Sequence, residues 1–176
     1  MTNVTSEDRA PLEGRRAILQ GLILGTRELL ADDRLSRFDI RERAVMGRLA
    51  RFMVPYYRGW DIDTDHQRRG DDPKYLDILP DGEPGRRPII PDIIVHQLGV
   101  QNNLLVVELK LSDNPDIALD LWKLEHMTSE GGLYGYSVGV HIILDLGRRT
   151  VAQSTTFVNG APDPELSDWF QGMFAR

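Results

Sequence analysis

The stretch that most limits what this chain can become is "LLVVELKL", residues 104–111. Five of the six residues from Leu104 to Leu109 are apolar, which predicts a buried strand. Yet Glu108 and Lys110 interrupt it. In a strand, residues two apart point the same way, so these two charges share a face and Leu109 takes the other. Burying an unpaired charge is costly, so this strand needs a partner, a metal or water beside it.

Composition narrows the choice. A chain of 176 residues suits one domain, and 41% hydrophobic with 27% charged residues is the balance of an ordinary globular protein. There is no cysteine, which excludes disulfides and thiolate metal sites. Any metal must be held by oxygen ligands or by the four histidines, and oxygen ligands favour Mg²⁺, Mn²⁺ or Ca²⁺. The opening "MTNVTSEDRAPLEG" lacks the basic-then-apolar layout of a signal peptide, and no run approaches the roughly eighteen apolar residues of a membrane span. The expectation is a cytoplasmic protein with no membrane partner. A net charge of −6 argues mildly against nonspecific nucleic-acid binding, but clustered arginines leave room for a basic surface.

Residues 1–10 read as a disordered tail and 11–176 as a single domain. Helices are expected over 12–31 and 39–54, the second stopped by Pro55. "GWDIDTDHQ", 59–67, alternates as a strand with one wet face. Residues 68–87, rich in Gly, Pro and charge, read as a long loop. Strands follow at 88–98 and 104–111, joined by the turn "GVQNN". A helix over 114–127 has Asn114 as candidate N-cap, Pro115 at N1, and an apolar stripe of Ile117, Leu121 and Leu124. Strands at 136–146 and 150–158 and a helix at 164–174 complete the chain. This order predicts an α/β fold with a mixed β-sheet flanked by helices, the helix after "LLVVELKL" crossing over between parallel strands.

The short turn between 88–98 and 104–111 makes those strands antiparallel neighbours and brings Asp92 towards Glu108. Two close carboxylates repel, and a divalent cation removes the conflict. Lys110 beside them holds a water or stabilises developing negative charge. Glu42 falls within the apolar arc of Phe38, Val45, Met46, Leu49, Phe52 and Met53, so it points towards the core. It also stands three after Asp39, which is a capping-box arrangement, and capping and catalysis weigh equally for it.

Pro91-Asp92, followed by Glu108-Leu109-Lys110, with Glu42 on a preceding helix, resembles the PD-(D/E)xK nuclease superfamily. The resemblance covers about 38–146, and the flanking helices are additional. The segments "DIDTDHQRRGDDPK", "PDIIVH", "NLLVVELK" and "DLWKLEHMT" look, in that order, like a bacterial group of the superfamily of unassigned role. One departure is that Asp65-His66 stand where a glutamate and a tyrosine are expected. The resemblance implies a restriction-endonuclease-like fold and a Mg²⁺- or Mn²⁺-dependent nuclease, expected as an endonuclease acting on DNA. Asp92, Glu108 and the Leu109 backbone carbonyl would hold the metal, Glu42 would be an outer or second-metal ligand, and Lys110 would orient the attacking water. A homodimer or a place in a larger defence or repair assembly is compatible with it.

Other residues carry competing readings. Arg68, Arg69 and Lys74 suit phosphate contact or local ion pairing with Asp71 and Asp72. Lys123 follows Asp120 by three positions, which is a helix-surface pair or a phosphate contact. His96 is a metal ligand or a hydrogen-bonded strand histidine. Against the nuclease stands a binding module that uses the fold without catalysis to hold nucleic acid or a partner protein. A third reading is a partner-binding protein whose Trp60 or Trp122 marks an interface.

Overall fold

The computed structural model describes residues 6–37, 40–65, 68–69, 72–100, 102–113 and 117–175. The helices are α1 (Ser6–Ala31), the single turn α2 (Arg34–Arg37), α3 (Glu42–Met53), α4 (Ala118–Met127) and α5 (Pro164–Gly172). The strands are β1 (Asp61–Thr64), β2 (Arg68–Arg69), β3 (Asp72–Pro73), β4 (Tyr75–Ile78), β5 (Pro84–Pro88), β6 (Ile93–Gln97), β7 (Asn102–Leu111), β8 (Val138–Asp145), β9 (Thr150–Val158) and β10 (Ala161–Pro162). Six of them form one sheet in the order β1-β6-β7-β8-β9-β10. β7 and β8 run parallel and the other neighbours antiparallel, with α4 as the crossover between the parallel pair. The chain is thus a single α/β domain with a mixed sheet, as expected. Among the described residues no helix is long and apolar enough to cross a membrane.

The sheet is apolar on both faces because each carries its own helices. On one, Ile93, Val95, Leu105, Val107, Leu109, Val140 and Ile142 pack under α1, α3 and α5. On the other, Ile94 and Val106 meet Trp122, Leu124 and Met127 of α4, with Tyr134, Tyr136 and Leu76 around them. The side chains of Val106, Glu108 and Lys110 alternate with those of Leu105, Val107 and Leu109. The charged pair therefore lies on the α4 face.

Several boundaries differ from the sequence expectation. α1 is described from Ser6, ahead of the expected start at Leu12. The expected loop 68–87 instead holds two small antiparallel pairs, β2 with β3 and β4 with β5. Pro84 and Pro88 sit at the ends of β5, where a missing ladder donor costs least, and the Arg86 guanidinium lies 3.3 Å from the Tyr75 ring centroid. β1 ends at Thr64 because Asp65 turns into the left-handed region, with φ of 52°. Strand 88–98 shortens to Ile93–Gln97, and Pro91 falls outside it. α3 is capped at Arg41 without a side-chain bond and runs into a 3₁₀ turn, Val54–Tyr56, that contains Pro55. The expected caps Asp39 and Asn114, with Phe38 and Pro115, lie outside the described residues.

α1 and α3 approach closely because α1 presents glycine. A Cβ on Gly25 would lie 2.9 Å from the Met53 Cγ and 3.2 Å from the Met53 backbone nitrogen. Alanine normally gains helix stability over glycine, by about 1 kcal/mol. Here overpacking against backbone outweighs that gain, and Gly25→Ala is expected to lower stability by about 1–2 kcal/mol in urea unfolding. A stabilised variant would show that the helices separate without cost.

Candidate active site

β6 and β7 are antiparallel with Ile93 opposite Val107, and one further step of that register places Asp92 opposite Glu108. The Leu109 N–H donates to Asp92 Oδ2 at 2.8 Å, which fixes the carboxylate against β7. Asp92 is half-buried, whereas Glu108 is fully buried. Across from them, α4 contributes Asp120 and Lys123, one helical turn apart and both buried.

The contacts form one connected cluster. Lys123 Nζ bonds Glu108 Oε2, lies 3.0 Å from Asp120 Oδ1, and donates to the Ile90 carbonyl at 3.4 Å. Lys110 Nζ donates to Glu42 Oε1 at 3.2 Å and makes an ion pair with Asp120 Oδ2 at 3.3 Å, without the alignment of a hydrogen bond. Glu42 Oε2 accepts the Leu111 N–H at 3.3 Å. His141 on β8, opposite Glu108, places Nε2 4.0 Å from Asp120 Oδ2. Glu108 Oε1 is buried and has no hydrogen-bond partner among the described residues.

Four carboxylates (Glu42, Asp92, Glu108, Asp120) face two ammonium groups, an excess of two negative charges if all are ionised. Protonation equilibria register the strain. Burial, then Asp92 and Asp120, push the Glu108 carboxyl well above its ordinary range against the opposing pull of Lys123. Burial also raises Asp92, against the Leu109 N–H. Burial pulls both ammonium groups down, but Asp120 and Glu42 outweigh it at Lys110, and Glu108 and Asp120 outweigh it at Lys123. Both lysines are thus held cationic.

Among the described residues no group of three or more His, Cys, Asp or Glu side chains is placed to hold a metal ion. Mg²⁺ does not need one, since it keeps several waters and takes one or two carboxylates. An all-oxygen pair with one buried oxygen left without a hydrogen-bond partner among the described residues fits that requirement.

The structure brings Asp92, Glu108, Leu109, Lys110 and Glu42 together, but revises several roles. Glu42 does not fill the capping position, because it is the first residue of α3. Its two oxygens accept from Lys110 and from the Leu111 N–H, which ties it to β7 beside the pair. Lys123 is not a surface pair, because it is buried. It turns inward because Glu108 and Asp120 attract it there. Lys74 is only 4% exposed, near the Tyr136 hydroxyl, and burial draws its ammonium down to about 8 against the pull of Asp63, so it is not presented to phosphate. Arg68 and Arg69 lie in β2, and their side chains fall outside the described residues. A ladder irregularity between Val95 and His96 breaks the regular phase assumed for His96, whose Nε2 meets Asp63 Oδ2 at 2.8 Å. Asp65, in the departing position, pairs with Arg43 at 2.9 Å and donates its N–H to the Asp92 carbonyl at 3.2 Å. Trp122 is buried, whereas Trp60 is partly buried and packs against the core.

Asp120 and His141 are site residues that sequence reading missed. His141 offers a check on how dry the cluster is. Burial lowers its affinity for a proton; Asp120 opposes this, while Lys110 and Lys123 add to it. A depressed folded value means that His141 contributes stability above its unfolded value of about 6.5 and loses it as pH falls through the folded one. The stability advantage of wild type over His141→Gln is therefore expected to shrink between about pH 7.5 and about pH 5.5. A constant advantage in urea unfolding would mean that the imidazole is not desolvated.

No protein-family model matches this chain, and no curated protein matches it in sequence.

Proposed function

We propose that the chain is a metal-dependent nuclease of the PD-(D/E)xK type that hydrolyses phosphodiester bonds in DNA. The observation that carries this reading is the register that sets Asp92 opposite Glu108, with Lys110 two residues further on the same face. Asp92, Glu108 and the Leu109 carbonyl would hold Mg²⁺ or Mn²⁺, which supplies Lewis acidity at a phosphoryl oxygen and a more acidic water. Lys110 is the more accessible of the two lysines, with 16% of its side chain exposed against 10% for Lys123. Held protonated, it is a hydrogen-bond donor and not a base. It orients the attacking water and offsets the negative charge that grows on the pentavalent phosphorus. Glu42 and Asp120 clamp its ammonium from two sides, so the donor is aimed before substrate arrives. Water attacks directly, and no covalent enzyme intermediate is required.

The test is cleavage of plasmid, linear duplex and single-stranded DNA with Mg²⁺ or Mn²⁺, beside Asp92→Asn. Metal-dependent cutting is expected from the wild type and not from the variant. Cutting that survives in Asp92→Asn would place the activity elsewhere.

One observation favours a second reading. Lys123 pairs with Glu108, as it would in a nuclease-like module that binds nucleic acid or a partner protein without catalysis. Such a module would neither cut nor gain thermal stability from Mn²⁺.

A further inference from the structure

We propose that Lys123 is a tethered counter-ion that holds Glu108, one member of the carboxylate pair, and is displaced from it when a divalent ion binds. This rests on the nuclease reading and assigns it a form of regulation. The geometry around Nζ carries the inference. Its three oxygen contacts come from three separate segments: Glu108 Oε2 of β7, Asp120 Oδ1 of α4, and the Ile90 carbonyl just ahead of Asp92. All three converge on one positive centre, the arrangement a hard cation would also attract. The ammonium serves it incompletely, because Glu108 Oε1 stays buried without a hydrogen-bond partner among the described residues.

The stem of Lys123 is flexible while its root is fixed. Trp122, Leu124 and Met127 anchor α4 in the core, and Asp120, three residues earlier on the same helix, keeps a carboxylate for the ammonium after it leaves Glu108. Exchange therefore needs a change of side-chain torsions and no movement of the helix. Every divalent ion that enters competes with a charge already in place. Affinity is set below what the carboxylates alone would give, and a released ammonium is left beside the site.

The experiment is Mn²⁺ titration of the metal-free full chain, read by the EPR signal of free Mn²⁺, for wild type, Lys123→Met and Asp92→Asn. Lys123→Met is expected to bind Mn²⁺ about tenfold tighter than wild type or better, and Asp92→Asn more weakly. Equal or weaker binding by a folded Lys123→Met overturns the proposal, and leaves the nuclease reading intact where wild type still binds and cuts. Absence of binding by both proteins overturns both. Should Lys123→Met fail to fold without metal, amine acetylation of wild type, read by mass spectrometry, decides. Mn²⁺ is expected to raise labelling of Lys123 several-fold and leave buried Lys74 unchanged as the internal reference. Unchanged Lys123 labelling with Mn²⁺ bound overturns the proposal.

Discussion

A Lys110→Ala protein is expected to fold and to lose metal-dependent DNA cleavage by roughly 10²–10³-fold or more, the scale seen when one preorganised donor to developing charge is removed. The loss should fall on turnover more than on substrate binding, since the ammonium acts most strongly where negative charge accumulates. The fold tolerates the change because each partner has another contact. Glu42 keeps the Leu111 N–H and reaches solvent, and Asp120 keeps Lys123. The stability cost is therefore on the order of 1 kcal/mol. Single-turnover cleavage and urea unfolding on one preparation measure both. Full activity in the folded variant would remove the role assigned to Lys110.

The strands around this lysine were readable because their chemistry is unambiguous. β9 has the expected bounds of Thr150–Val158, and the β-branched run of β6 and the apolar run of β7 were found with their antiparallel pairing. Asp92, Glu108 and Lys110 followed, since a period of two is enough to put charges on a face. α4 was harder. Its expected stripe of Ile117, Leu121 and Leu124 is only partly right, because Asp120, Trp122, Lys123, Leu124 and Met127 are the residues it buries. A helix with Leu119, Leu121, Trp122, Leu124 and Met127 is apolar nearly all round, so its pattern does not fix its rotation about its axis. An acid and a base three apart then read as a solvated pair. The signal that could have placed them inside is Glu108 itself, a buried acid needing a cation from whatever packs over it. The β4–β5 hairpin was hidden for a different reason. Its glycines and prolines carry loop chemistry, and its apolar anchors, Leu76 and Ile78, find their core only in three dimensions.

Lys123→Ala is expected to be the most damaging single change to stability, costing about 3–5 kcal/mol in metal-free buffer, because it removes the paired ammonium from fully buried Glu108. The pair itself is worth far less than that figure. Desolvating two ions consumes most of their attraction, so replacing both by apolar groups of similar size should recover the loss. Glu108→Leu combined with Lys123→Met is expected to lie within about 1–2 kcal/mol of wild type. Urea unfolding of Glu108→Leu, Lys123→Met and the double variant gives the coupling directly. A double variant as unstable as Lys123→Ala would mean that the pair organises the surrounding cluster, and that Asp120 and Lys110 cannot hold their positions without it.

The outermost strands have a consequence for assembly. β1 is four residues long and carries Asp61 and Asp63, and β10 is two residues long and ends in Pro162, which has no N–H to offer. Short, charged or proline-bearing margins are the means by which sheets resist growing into one another. A second copy would therefore gain little by extending the ladder sideways. If two subunits combine to cut both strands of a duplex, they would meet through helices or turns, and the separation of their two cutting centres would be set by those surfaces.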